Sequence, residues 1–269
     1  MKADIRQRIF VLTAAALLTA CGGGSSSNND TGVDPATQSC SGFCANANSF
    51  LTVADVEQIL AQGINEAQAR GLTATFAVTD RVGNVLAIFR MTGANRLIFI
   101  GDRNAPVNTG LDGLEANLDL PAAVSKAITA SYLSSEGNAF TTRTASQIVQ
   151  QNFNPGETNQ PSGPLFGVQF SQLACSDFSQ QGSTTAGPHR SPLGLAADPG
   201  GLPLYKGGVP VGGVGVIVDD EYSLDPNLTD GFDKPAKNLD EILALAATFD
   251  FVAPADRRAD RITVEGKIF

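Results

Sequence analysis

Between Gly200 and Asp220 the chain reads GGLPLYKGGVPVGGVGVIVDD, in which Gly200, Gly201, Gly207, Gly208, Gly212, Gly213 and Gly215 surround an apolar run that stops on acid. A dinucleotide fingerprint needs G-x-G-x-x-G between a strand and a helix, and a phosphate loop needs G-x-x-x-x-G-K-[ST]. Here Gly213, Val214 and Gly215 lead through Val216, Ile217 and Val218 into Asp219, Asp220 and Glu221, whose carboxylates repel a phosphate. The stretch therefore reads as a hairpin: LPLYK, a turn at Gly207 and Gly208, and VPVGGVGVIV returning. On the returning strand Gly213 and Gly215 share one face and Gly212 takes the other, so a helix, a ligand or another backbone can approach closely on both.

The segments before it have their own periodicities. Thr52 to Asp55 is a helix start with an acidic third position. Val53, Val56, Ile59, Leu60, Ile64 and Ala67 then recur at helical spacing until Gly71. TATFAVTD and NVLAIFRM are two strands around a turn that holds Gly83. PAAVSKAITASYL predicts a second helix over roughly 120–133, with proline in its first turn. From 152 to 199 the pattern dissolves into Pro, Gly, Gln and Ser, a long insertion. NLDEILALAATFDF predicts a helix in the tail and DRITVEGKIF a last strand.

The first twenty residues follow a different logic. A basic start, MKADIRQR, precedes the apolar run IFVLTAAALLTA, which has signal-peptide rather than membrane-spanning length. Leu18, Thr19 and Ala20 before Cys21 resemble a bacterial lipobox, in which the cysteine is acylated and becomes the new N-terminus. Gly22 after it favours the outer membrane by the same resemblance. Residues 21–49 then form a flexible Gly/Ser/Asn tether, and the globular part covers 50–269. The expected location is the bacterial cell envelope, with the lipid anchor in the outer membrane and the domain facing the periplasm. In that oxidising compartment Cys40, Cys44 and Cys175 make one disulfide and one leftover thiol, with Cys175 pairing to Cys40 or Cys44; a catalytic Cys175 is the alternative.

With 42% hydrophobic and 17% charged residues the chain has enough apolar material for a core, and its formal charge of −9 with no Lys/Arg cluster excludes a nucleic-acid surface. His189 is the only histidine, which removes two-histidine metal sites and most serine triads, and no G-x-S-x-G elbow is present. The acidic run from Asp225 to Asp233 has its glycine one place too late for an EF-hand and lacks the closing glutamate, so it reads as a solvated loop. Neither a metal site nor a catalytic constellation emerges.

Taken in order, LTVADVEQIL, FAVTDRVGNVLAIFRMTGA, SKAITASYL and GGLPLYKGGVPVGGVGV resemble the successive motifs of the GlcG/HbpS-type heme-binding family. The four blocks run from Leu51 to Val218, with the insertion and the tail as additions to one domain. The resemblance implies an α+β fold, an antiparallel β-sheet flanked by helices in a profilin- or PAS-like two-layer arrangement. It also implies a homo-oligomer and heme as the ligand, in storage, scavenging or as an accessory to redox sensing. An enzyme acting on heme or on another small organic or corrinoid molecule, and an oligomeric adaptor lipoprotein without heme, are the alternatives.

Heme needs an apolar slot, a basic rim and an axial donor. His189 is the candidate donor, with Arg190 beside it, against the alternative of a solvated loop histidine. Lys126 and Arg90 occupy motif positions and are candidates for a propionate; their alternatives are a solvated helix face and a sheet-edge ion pair. Met91 is a candidate sulfur ligand, with core packing as the favoured alternative. The expected site is lined by the insertion, the hairpin before Met91 and the helix around Lys126.

Overall fold

The computed structural model describes residues 50–101, 111, 113–149, 191, 193–223, 238–258, 261, 263–264 and 267–268. Helix α1, Val53–Ala69, opens on the expected capping box: the Asp55 amide donates to Thr52 Oγ1 and the Thr52 amide to Asp55 Oδ2, at 3.2 and 2.7 Å. Gly71, at φ 68°, closes it in the left-handed region that glycine adopts without strain. Strands β1, Thr75–Asp80, and β2, Val85–Arg90, form the expected hairpin. Its turn is held by the Asp80 carboxylate, which accepts from the Val82 and Asn84 amides, and Gly83 there has φ 84°.

The GGLPLYK stretch becomes β5, Gly201–Lys206, and β6, Val209–Ile217, joined at Gly207 and Gly208 as expected. Four strands make one antiparallel sheet in the order β2-β1-β6-β5. Helix α2, Asp119–Leu133, covers one face, and the reason lies in the glycines. A Cβ on Gly213 would lie 2.1 Å from the Ala127 carbonyl oxygen and one on Gly215 the same distance from that of Ala123, so the helix backbone rests directly on the strand. A Cβ on Gly212 would meet Thr79 and Leu51 on the other side.

That other face carries α1 and helix α4, Leu239–Ala247, whose cap is Asn238. The alternation along β1 divides the core accordingly. Phe76 and Val78 pack with Ile59, Leu243, Ala244 and Ala247, while Ala77 packs with Ala123, Ala127 and Ile128 of α2. Each large side chain buried this way contributes about 1.5–3 kcal/mol. The fold is thus α+β with an antiparallel sheet flanked by helices. Helix α2 lies on one face of the sheet and α1 with α4 on the other, because β1, β5 and β6 are buried on both faces.

Among the described residues some elements were not expected. Strands β3, Leu97–Ile100, β4, Glu115–Asn117, and β7, Glu221–Tyr222, form a second sheet in the order β4-β3-β7, and helix α3 is Thr142–Val149. These strands have two to four residues, too few for alternation to register, and α3, TRTASQIV, has its apolar residues at helical spacing, Ala145, Ile148 and Val149, but over only eight residues. The expected last strand is instead two paired two-residue strands, β8 at Thr263–Val264 and β9 at Lys267–Ile268. Among the described residues no helix is long and apolar enough to cross a membrane.

Candidate functional site

Lys126 lies in the middle of α2 with a relative exposure of 0%. Its Nζ donates to the Val216 carbonyl at 2.9 Å and stands 2.5 Å from both Asp240 Oδ2, in the first turn of α4, and Asp198 Oδ2, in the segment leading into β5. Asp240 Oδ1 accepts from the Val218 amide at 2.7 Å, so one carboxylate joins the end of β6 to the ammonium. Burial alone would push the ammonium down, but the charges of Asp198, Asp240 and Asp219 outweigh it and hold Lys126 above the ordinary lysine value. Burial pushes Asp240 up to about 7 and Asp198 well above the carboxylate range, against the pull of Lys126 in both cases. Burial, and then the Asp198 charge, likewise raise the Tyr222 hydroxyl well above its usual value.

Polar side chains of α2 and α3 seat the end of the insertion over this cluster. Ser125 Oγ accepts from the Leu193 amide at 3.1 Å, Thr129 Oγ1 from the Ala196 amide at 2.7 Å, and Thr142 Oγ1 from the Gly201 amide at 2.9 Å. Arg143 of α3 pairs with Glu241, next to Asp240, at 2.9 Å. The insertion, the tail helix and the central helix therefore converge on one ammonium.

Another buried carboxylate sits two turns earlier on α2. Asp119, fully buried, accepts from Arg90 Nε at 2.5 Å and Arg90 Nη2 at 2.8 Å, and from Thr75 Oγ1 at 2.9 Å. The Arg90 side chain remains 29% exposed.

The expected site residues fare differently. Lys126 is neither on a solvated helix face nor open to a propionate; its charge is already balanced inside the protein. Arg90 makes the sheet-edge ion pair and still presents a guanidinium edge to solvent. Met91 packs into the core with Ala74 and Phe76 on the α1 side of the sheet, the face opposite α2, so it does not share a wall with Lys126. His189, Arg190, Cys21, Cys40, Cys44, Cys175 and the acidic run 225–233 lie outside the described residues. Asp198, Asp219, Asp240, Asp119 and Tyr222 were missed. Asp198 precedes Pro199 and Gly200 and reads as a turn residue, and Asp240 reads as an ordinary acid favouring a helix N-terminus.

Fold and site together define an α+β domain whose main charge cluster ties its chain segments together from within. No family model matches the chain, and no curated protein matches it. Among solved structures it is similar to Klebsiella pneumoniae protein ORFY, of the family model DUF336, at 21% identity over 75% of this chain and 90% of that one, with a TM-score of 0.42. It is similar to PduOC in its heme complex at 16% identity over 76% and 97% of the two chains, TM-score 0.44. A double mutant of Streptomyces reticuli HbpS matches at 17% identity over 82% and 97%, TM-score 0.41.

Proposed function

We propose that the chain is an exported heme-binding protein, held on the periplasmic side of the outer membrane by acylation at Cys21. The observation that supports heme as ligand is the order and completeness of the four motif blocks between Leu51 and Val218. They become α1, the β1-β2 hairpin, α2 and the β5-β6 hairpin, which build one sheet and the helices on it. Of the side chains proposed for the site, Arg90 fits a heme carboxylate, since its exposed guanidinium edge lies beside apolar β2 residues. Lys126 and Met91 do not fit and are withdrawn from it. His189 stays the proposed axial donor and Arg190 its basic neighbour.

Hemin titration of the purified protein tests the reading. A saturable Soret band is expected, and His189→Ala should shift its maximum and weaken binding at least tenfold, about 1.4 kcal/mol. No band in the wild type overturns heme binding, and an unchanged band in the variant removes His189. Bleaching under reductant and oxygen would mark turnover of heme in place of storage.

A further inference from the structure

The two carboxylates on Lys126 are held differently. Asp240 is engaged at both oxygens, Oδ1 by the Val218 amide and Oδ2 by the ammonium. Asp198 Oδ2 stands 2.5 Å from Lys126 Nζ and yet has no hydrogen-bond partner. Nor has the Tyr222 hydroxyl, which burial and then the charge of Asp198 hold above its usual value. The chain on either side of Asp198 is fixed. Thr129 takes the Ala196 amide and Thr142 the Gly201 amide, and Gly200, at φ 115°, passes so close that a Cβ there would lie 3.3 Å from Nζ. A nitrogen and a carboxyl held in contact, with water excluded, meet the conditions under which a condensation becomes intramolecular.

We propose that Lys126 and Asp198 condense to an intramolecular amide, with Asp240 carrying the proton. The ion pair is the state before reaction. Its carboxylates keep the ammonium from losing a proton to solvent, but a transfer to Asp240 only moves that proton across the 2.5 Å contact and removes two charges from an interior where ions are costly. The resulting amine has a free electron pair and attacks Cγ of Asp198, which burial, against the pull of Lys126, holds in its acid form. A C–N bond forms, and the C–O bond to the Asp198 hydroxyl breaks. Asp240 gives its proton to the leaving hydroxyl and takes the surplus one from the nitrogen. The products are the amide, one water and Asp240 in its acid form, so nothing is oxidised or reduced and no charge stays inside. The bond closes the chain from α2 through α3 to the end of the insertion into a ring that no reductant opens. It does not depend on the heme reading.

Peptide mapping of the purified full chain by mass spectrometry tests it. In most molecules Lys126 should resist trypsin and be joined to the peptide that contains Asp198, with the mass of one water missing from the pair. Lys126→Arg, which keeps the charge, and Asp198→Ala should lack the link, and Asp240→Ala should form it at least tenfold more slowly. An unmodified Lys126 in folded wild-type protein overturns the proposal, whatever the variants do. A link from Lys126 to Asp240 overturns the assignment of Asp198, and undiminished linkage in Asp240→Ala removes Asp240 as the proton carrier.

Discussion

Lys126 and Asp240 are 114 residues apart in the chain, and the ammonium of one lies 2.5 Å from the carboxylate of the other, both inside the protein. Asp198 reaches the same ammonium at 2.5 Å. A middle helix, the end of the insertion and the tail helix thus share a single buried cation, and the role of Lys126 follows from that geometry.

Replacing the cation should therefore cost stability before it costs binding. Lys126→Met leaves two carboxylates inside without a counter-charge, a loss of about 3–5 kcal/mol in urea unfolding. Adding Asp198→Asn and Asp240→Asn to the same chain should recover most of it. A loss below about 1 kcal/mol in the single variant would show that water reaches the cluster and screens it.

The cluster also sets a direction for pH dependence. Asp240 titrates at about 7 in the folded protein, against roughly 3.9 for an unfolded aspartate. Between those values the folded state holds a proton that the unfolded chain has released, so this contribution is complete below about pH 4 and is lost as pH rises through 7. Asp198, also raised, acts in the same direction. The melting temperature should fall from pH 5 to pH 7.5, and Asp240→Asn should flatten that slope. A melting temperature that rises over the interval contradicts the assignment.

Gly213 and Gly215 should be intolerant of any side chain. Either glycine to alanine pushes α2 off the sheet, at a cost of about 1–3 kcal/mol. Gly137→Ala, where the nearest atom would be 3.7 Å away, is the control and should change stability by less than about 0.5 kcal/mol. Equal effects at Gly137 and Gly213 would refute close approach as the reason for the glycines.

Arg90→Ala removes the charged partner of Asp119 and leaves that buried carboxylate with Thr75, a loss of about 1–3 kcal/mol by thermal or urea unfolding. Arg90→Lys should recover only part of it, because the contact is two-pronged. Hemin affinity should fall in Arg90→Ala with the Soret maximum unmoved; a shifted maximum would place Arg90 at the iron.

For the proposed anchor, Cys21→Ser should move the protein from the membrane fraction to the soluble fraction. Non-reducing peptide maps of envelope material should join Cys175 to Cys40 or Cys44. Persistent membrane association of the variant would argue against acylation, and three free thiols would exclude the disulfide.

Much of the scaffold is legible in one dimension because its signals are local. Thr52 with Asp55 starts α1, Gly71 ends it, Gly83 turns the first hairpin, and the glycine pair at 207 and 208 turns the second; each acts within a few residues of itself. The faces of β6 are legible too, since a period of two places Gly213 and Gly215 opposite Gly212 before anything is known of what packs there. What lies on those faces is a different matter. The sequence alone cannot say that α2 takes one and α1 with α4 the other, because that depends on which apolar surfaces find each other. The charge cluster is the clearest case. Lys126, Asp198 and Asp240 each have an ordinary local explanation, on a helix, in a turn and at a helix start. Only when the tertiary fold removes water from all three does their mutual charge outweigh local context, since an ion buried without a partner is far costlier than one in solvent.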